Sequence, residues 1–498
     1  MTLGAENQFA EAHFDPRVAA ARVAEARYPL EGETDFVADA VARACAALGW
    51  NEEGRGPFGR VVARGARVLV KPNFVAHRNE GSWGVEPLVT HQSVVRAVVD
   101  ALLLADPSEV LVGDAPLQGC DFDELMRVTG LGSWAEDLAA REPRFKGVRD
   151  FRRTTCVFRD GVRVSAEDLQ SEDRYALFDL AGESFLEPIT DDDASFRVTR
   201  YDPRLLAKTH RPGRHRYLVA REVVESDVVV NLPKLKTHMK AGITCALKNL
   251  IGINGNKEYL PHHRLGGAAD GGDCYPGGSG VKRALEFIFD RQNMTDSEAS
   301  ARLWHTAARQ LYRVLRLQGD RLGIEGAWSG NDTIWRTCLD LNRILLYGRP
   351  DATMAESPQR RVLHLTDAVV AGQGNGPLAP EPLALGLLLA SSNAAAMDTA
   401  GALLLGYDPA RITIAREALG DFRWPLAPFR REDVTMTGDL GEGAATELLR
   451  GSGRGVTHPV GWRDAAADKT AGANGASNSP RGESSNGASV DFESALDG

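Results

Sequence analysis

The sequence predicts an α/β fold: two facing α/β blocks with mainly parallel sheets, carrying a small β insertion and a helical insertion. Three observations lead there. Short aliphatic runs (Val68, Leu69, Val70; Val110, Leu111, Val112; Val228, Val229, Val230) each break at a polar turn, as buried parallel strands do. Between the first two, Val94, Val95, Val98, Val99, Leu102 and Leu103 recur at helical spacing, giving strand, helix, strand with a right-handed crossover. The same alternation returns after residue 361, with a strand at 362–366 and a helix from Ala394.

The elements divide the chain as follows. Residues 1–60 read as a helical segment, because 17–50 are rich in Ala and Arg with apolar spacing. Residues 61–255 form the first α/β domain, with a β-rich insertion at about 145–220 whose short alternating pieces are separated by polar turns. Residues 256–360 are a loop and helical insertion. There Leu303, Ala307, Leu311, Val314 and Leu315 fall on one helix face. Residues 361–450 are the second block. Residues 451–498 form a tail, Gly-, Ser-, Ala- and Asn-rich from about 465, with too few apolar groups to offset its ordering entropy.

Composition narrows the function. The 498 residues are 43% hydrophobic and 25% charged, with net charge −10. An acidic chain without aromatic-basic interleaving is not a general nucleic-acid binder. The six cysteines include no Cys-x-x-Cys pair, so neither an iron–sulfur nor a zinc-ribbon motif is present. No apolar run is long enough to span a bilayer and no signal-peptide pattern opens the chain, so the expected compartment is the cytoplasm.

The chemistry concentrates after the third strand. The stretch from Asn231 reads NLPKLKTH and places Lys234, Lys236, Lys240 and Lys248 around His238, with His262 and His263 beyond and no acid before Glu258. An acidic protein that gathers cations past a strand end is building an anion site, where open α/β sheets bind ligands. Here Lys234 and Lys236 would hold the anion and His238 would act as acid or base. The plainer alternative is a solvated loop. Lys71, Asn73 and Asp114 also follow strands and would share that rim if the sheet is parallel. His77 and His91 lie nearby, and His91 suits a helix N-terminus. His262 with His263 could ligate a metal, as could His210 with His215, although adjacent histidines point in different directions. The loop GQGNGP at 372–377 offers amides at Gly374, Asn375 and Gly376 to an anion. Neither it nor GINGNK has P-loop or dinucleotide spacing, so neither ATP nor NAD is expected. Asp398 would cap its helix or reach the site.

KPN at Lys71, GD at Gly113, NLPKLKTH, the T-x-x-L-K-N-L-x-G string from Thr244 and GxGNGP at Gly372 together resemble the bacterial and archaeal family of domain of unknown function 362. The resemblance spans about 61–440. Some members carry a ferredoxin-like cysteine module, which this sequence lacks. A more distant resemblance, from His238 through Ala241 and Gly242 to Lys248, is to the nickel-pincer lactate racemases. It implies His238 as the proton carrier, Lys248 as a cofactor anchor and His262 or His263 as a nickel ligand. Asp114 stands where those enzymes have a second catalytic histidine.

These readings lead to an enzyme acting on a small anionic substrate, such as a hydroxy acid, sugar acid or phosphorylated metabolite, by proton or hydride transfer at carbon. Lys71, Asp114 and His238 are its catalytic candidates. Two alternatives belong to other classes: a redox or metallocofactor-handling protein, and a non-catalytic anion-binding or assembly protein using residues 281–347 as an interface.

Overall fold

The computed structural model describes residues 13–30, 33, 35–191, 195–320 and 322–466. One 11-stranded sheet dominates it. Its strands are β1 (Arg17–Arg22), β2 (Arg67–Pro72), β3 (Glu109–Asp114), β4 (Phe145–Asp150), β5 (Val228–Leu232), β6 (Lys234–His238), β7 (Gly242–Thr244), β8 (Arg361–Asn375), β9 (Ala379–Ser391), β10 (Thr435–Gly438) and β11 (Gly443–Ala444). The order is β11-β10-β1-β9-β8-β5-β2-β3-β4, with β6 paired to both β8 and β7. From β8 through β4 every neighbouring pair is parallel.

The aliphatic runs are continuous because both sheet faces are covered. Val68, Val70, Val110, Val112, Val228 and Val230 enter one core layer. Their alternating neighbours Leu69, Leu111 and Val229 enter the opposite one. Helices α1 (Phe36–Ala47) and α2 (Gln92–Leu103) supply the first layer. His91 caps α2 by accepting from the Ser93 amide, and its ring stacks on Tyr28 at 3.7 Å.

The chain path creates a switch point. It runs β2, β3, β4 outward in one direction, then returns to lay β5 on the other side of β2, with β8 beyond. The order of connections therefore reverses between β2 and β5, where Lys71 pairs in register with Asn231. That is the crevice in which open α/β sheets bind ligands.

Several expectations need correction. The two α/β blocks lie side by side in a single sheet, because β5 and β8 pair directly. Residues 17–22 are a strand: their small side chains fit between β9 and β10 with both faces buried, and this tertiary fit overrides the helical bias of alanine. Lys234 to His238 form a fully buried strand, not a solvated loop. The first four residues of GQGNGP are the end of the 15-residue β8.

Small sheets decorate the core: Thr154–Arg159 with Val162–Asp168, Tyr175–Asp179 with Arg214–Ala220 and His210–Arg211, and Phe196–Arg197 with His263–Arg264. Helices α4 (Gly280–Met294) and α5 (Glu298–Leu317) follow the short helix α3 (Ala246–Asn249). Then come α6 (Ile334–Tyr347) and α7 (Ala394–Leu404). The apolar face expected on α5 packs only in part: Leu315 is buried and Leu311 rests against the local core, but Leu303 and Val314 are exposed. α5 turns Ala301, His305, Ala308 and Leu315 inward, whereas Leu303 is 68% exposed. Trp462, within the stretch read as tail, is 2% exposed, and the chain from residue 467 lies outside the described residues. No helix among the described residues is long and apolar enough to cross a membrane.

Candidate functional site

The ends of β2, β3 and β5 bring the first group together. Lys71 Nζ donates to Asp114 Oδ1 at 2.6 Å, to the Pro72 carbonyl at 2.9 Å and to Asn249 Oδ1 at 3.3 Å. Asp114 Oδ2 accepts the Phe74 amide at 2.7 Å. Burial lowers the Lys71 ammonium and raises the Asp114 carboxyl, and their contact opposes both shifts. Gly252 seals this corner, since a Cβ there would meet Asp114 Oδ1 at 1.9 Å. Asn249 links the pair to β5 by donating to Asn231 Oδ1 at 2.7 Å.

The lysines of β6 divide. Lys234 faces away from the cluster: it pairs with Asp367 Oδ2 at 2.6 Å and donates to the Tyr28 hydroxyl at 2.5 Å. Its charge is already neutralised, so it leaves the expected anion-binding set. Lys236, two residues on, has no carboxylate partner among the described residues. Its ammonium donates to Asn73 Oδ1 at 2.8 Å and to the Leu88 carbonyl. Burial pushes it well down, with Lys234 and Lys248 adding to the effect.

Lys248, on α3, is 9% exposed and has neither an ion pair nor a hydrogen bond among the described residues. Burial lowers its amine, the nearby Cys338 opposes this, and Lys240 and Lys71 lower it further. α3 is held from outside the site. Asp398 Oδ1 accepts the Leu247 amide at 3.1 Å, while Oδ2 is buried without a partner. Asp398 thus caps a helix other than its own, and burial pushes its carboxyl up to about 7.

His238 closes β6 at 4% exposure. Its Nδ1 accepts the amides of Lys240 at 3.0 Å and Ala241 at 3.2 Å, which leaves the neutral ring's proton on Nε2. Its electrostatic neighbours are Lys248, Lys236, Lys240 and His262. The hairpin after it is pinned: Trp462 Nε1 donates to the Met239 carbonyl at 2.6 Å, and Gly242 adopts φ +81° against the Trp462 ring.

The glycine loop supports this hairpin. Gly374 spends its amide on the Thr457 carbonyl at 2.8 Å. The carbonyls of Gly374 and Gly376 accept from Thr237 Oγ1 at 2.8 Å and the Met239 amide at 2.9 Å. Asn375 ends β8 opposite Ala379.

His262 and His263 diverge. His262 donates from Nδ1 to the Leu260 carbonyl at 2.7 Å, which leaves the Nε2 lone pair without a partner among the described residues. His263 pairs with the Phe196–Arg197 strand, and its Nδ1 is buried without a partner. Among the described residues no three His, Cys, Asp or Glu side chains converge to hold a metal. His210 and His215 meet at 3.3 Å between their Nδ1 atoms, in a separate small sheet. His77 accepts the Asp121 amide. Asp114, which the resemblance to the racemases sets in place of a second proton-carrying histidine, is locked to Lys71 and packed against Gly252.

Sequence reading named Lys240 without its anchor and gave Lys257 and Asn249 no role. Lys240 reaches Thr199 Oγ1 at 2.7 Å, and Lys257 reaches the Thr199 carbonyl at 3.1 Å with its amine lowered to about 8 by burial. Asn249 was visible within the LKNL string, but its link to Lys71 depends on contacts far apart in the chain. Two surface hollows, of about 360 and 560 Å³, lie elsewhere, beside Arg411 and beside Lys282. Neither contains a residue of the lysine and histidine cluster.

The fold and site define an α/β protein with a cluster of lysines and histidines beside the switch point of a mainly parallel sheet; Lys240 lies 3.8 Å from Glu325, whereas Lys236 and Lys248 have no carboxylate partner among the described residues. The chain belongs to the family described as domain of unknown function (DUF362), whose model matches residues 68–163 and 186–403. No curated protein matches it. Among solved structures it is similar to a Thermotoga maritima protein at 13% identity and TM-score 0.30, covering 71% of this chain and 55% of that one. It is also similar to the lactate racemase apoprotein of Thermoanaerobacterium thermosaccharolyticum at 12% identity and TM-score 0.30, covering 80% and 58%. The chain thus spans little more than half the length of either structure, and likeness at that level transfers no role.

Proposed function

We propose that this protein is an enzyme that binds a small organic anion, a hydroxy acid or sugar acid, at the switch point and moves a proton at the carbon beside its carboxylate. The observation that carries the reading is Lys248: a buried amine with no counter-charge among the described residues, beside Lys236, Lys240 and His238. An unpaired buried cation costs free energy in the empty protein, and a bound carboxylate offsets that cost. Imidazole nitrogens next to such an anion suit proton transfer.

The test has two parts. Wild-type protein is melted with lactate, glycerate, gluconate or inorganic phosphate. A carboxylate ligand at 100 times its Kd stabilises by about 2.7 kcal/mol, and Lys248→Ala should lose that gain. The same anions are then followed by NMR in heavy water for loss of the C2 proton. Stabilisation without exchange by any anion would favour the non-catalytic anion-binding reading, and no stabilisation at all would reject both.

A further inference from the structure

The two histidines of the cluster present opposite faces of imidazole chemistry. His238 has its lone pair committed to two backbone amides and so offers only an N–H from Nε2. His262 has its N–H committed to the Leu260 carbonyl and so offers only a lone pair from Nε2. The commitments are rigid. The backbone around His262 is fixed on both sides, by its amide on the Arg197 carbonyl at 2.8 Å and by Asn331 Nδ2 on its own carbonyl at 2.9 Å. His238 sits at the mouth of the hairpin held by Trp462. Swapping either tautomer would set an N–H against an N–H at His238, or a lone pair against a carbonyl at His262, each leaving polar groups unsatisfied.

From these two hydrogen-bond patterns we infer that His262 is the proton-accepting base of the site and that His238 is a neutral hydrogen-bond donor to the oxygen on which charge develops. This rests on the proposed function and reverses the role expected of His238. In the step, His262 Nε2 takes the proton from the substrate carbon. The C–H electron pair moves into the neighbouring carboxyl group as an enolate, and the His238 N–H with the Lys248 ammonium faces the oxygen that gains the charge. Return of the proton from His262 restores the carbon acid, so nothing is oxidised or reduced. A neutral imidazole is well matched to this donor role, because it stabilises an oxyanion without giving up its proton. Burial first, and then the nearby lysines, hold both rings neutral in the empty site, and a bound anion screens the lysines. His262 therefore becomes more basic when substrate is present.

Diethyl pyrocarbonate distinguishes the two rings, because it acylates an imidazole nitrogen through its free lone pair. The full-length protein is treated at neutral pH and mapped by peptide mass, with His238→Gln and His262→Gln as controls. Acylation should fall on His262 and spare His238, by at least tenfold in rate. ¹⁵N NMR of histidine-labelled protein supplies a second readout independent of reagent access: His238 should carry its proton on Nε2 and His262 on Nδ1. Acylation of His238 in preference to His262, or the opposite tautomers by NMR, would overturn the assignment. Either result would leave C2–H exchange, and with it the proposed function, to stand on its own measurement.

Discussion

The Lys71 ammonium reaches from β2 to the Asp114 carboxylate at the end of β3, 2.6 Å away, with the two side chains 0% and 3% exposed. The pair closes the floor of the switch point and ties three adjacent strand ends together through Asn249. Removing one member leaves the other charge buried and alone. Lys71→Met or Asp114→Leu should each cost about 3–5 kcal/mol in urea unfolding, and the double variant much less than the sum. Additive costs would show that the two residues act separately.

Lys234 and Lys248 should part company when each is changed to Met. Lys234 is paired with Asp367, so its loss strands a carboxylate and should destabilise by several kcal/mol, about 3–5 for a buried pair. Lys248 has no partner, so Lys248→Met should leave the empty protein as stable or more stable, by up to about 2 kcal/mol. Only the Lys248 variant should lose stabilisation by a carboxylate ligand through a missing contact. Equal destabilisation by both changes would mean that Lys248 has a structural role.

Asp398 gives the site's support a pH signature. Burial raises its carboxyl from 3.8 to about 7, so the folded state favours the protonated form more than the unfolded chain does. Its contribution is complete below about pH 4 and is lost as pH rises through about 7. Asp398→Asn does not titrate. Its melting temperature relative to wild type should therefore climb between about pH 4 and pH 8, and a constant difference across that range would refute the shift.

Trp462 packs on the hairpin that carries His238 and caps Met239, so it belongs to the core. Trp462→Ala should cost about 3–5 kcal/mol by guanidinium unfolding. A loss below about 1 kcal/mol would return the segment to the status of a tail.

The parallel half of the sheet was readable because its strands are buried on both faces, and such strands appear as uninterrupted aliphatic runs. The meeting of Lys71 with Asp114 was expected from strand ends alone, whereas Lys234, expected on the same rim, turns away to Asp367. What the sequence hid was decided by contacts at long range. Alanine at 19–21 forms a strand only because β9 and β10 flank it. Lys234 and Lys236 look alike in the chain, and only Asp367, 133 positions after Lys234, separates the paired ammonium from the unpaired one. The histidine tautomers were likewise invisible, since each is set by backbone groups that sequence does not place.

The central claim is that this cluster moves a proton at a carbon next to a carboxylate, and exchange of that proton with solvent measures it directly. Wild-type protein in heavy water should erase the C2–H signal of at least one hydroxy acid or sugar acid. A positioned acid–base group contributes about 10²- to 10⁴-fold, so folded His262→Gln should slow the exchange by that factor. A wild-type protein that binds these anions and leaves every C2–H signal intact would contradict the account.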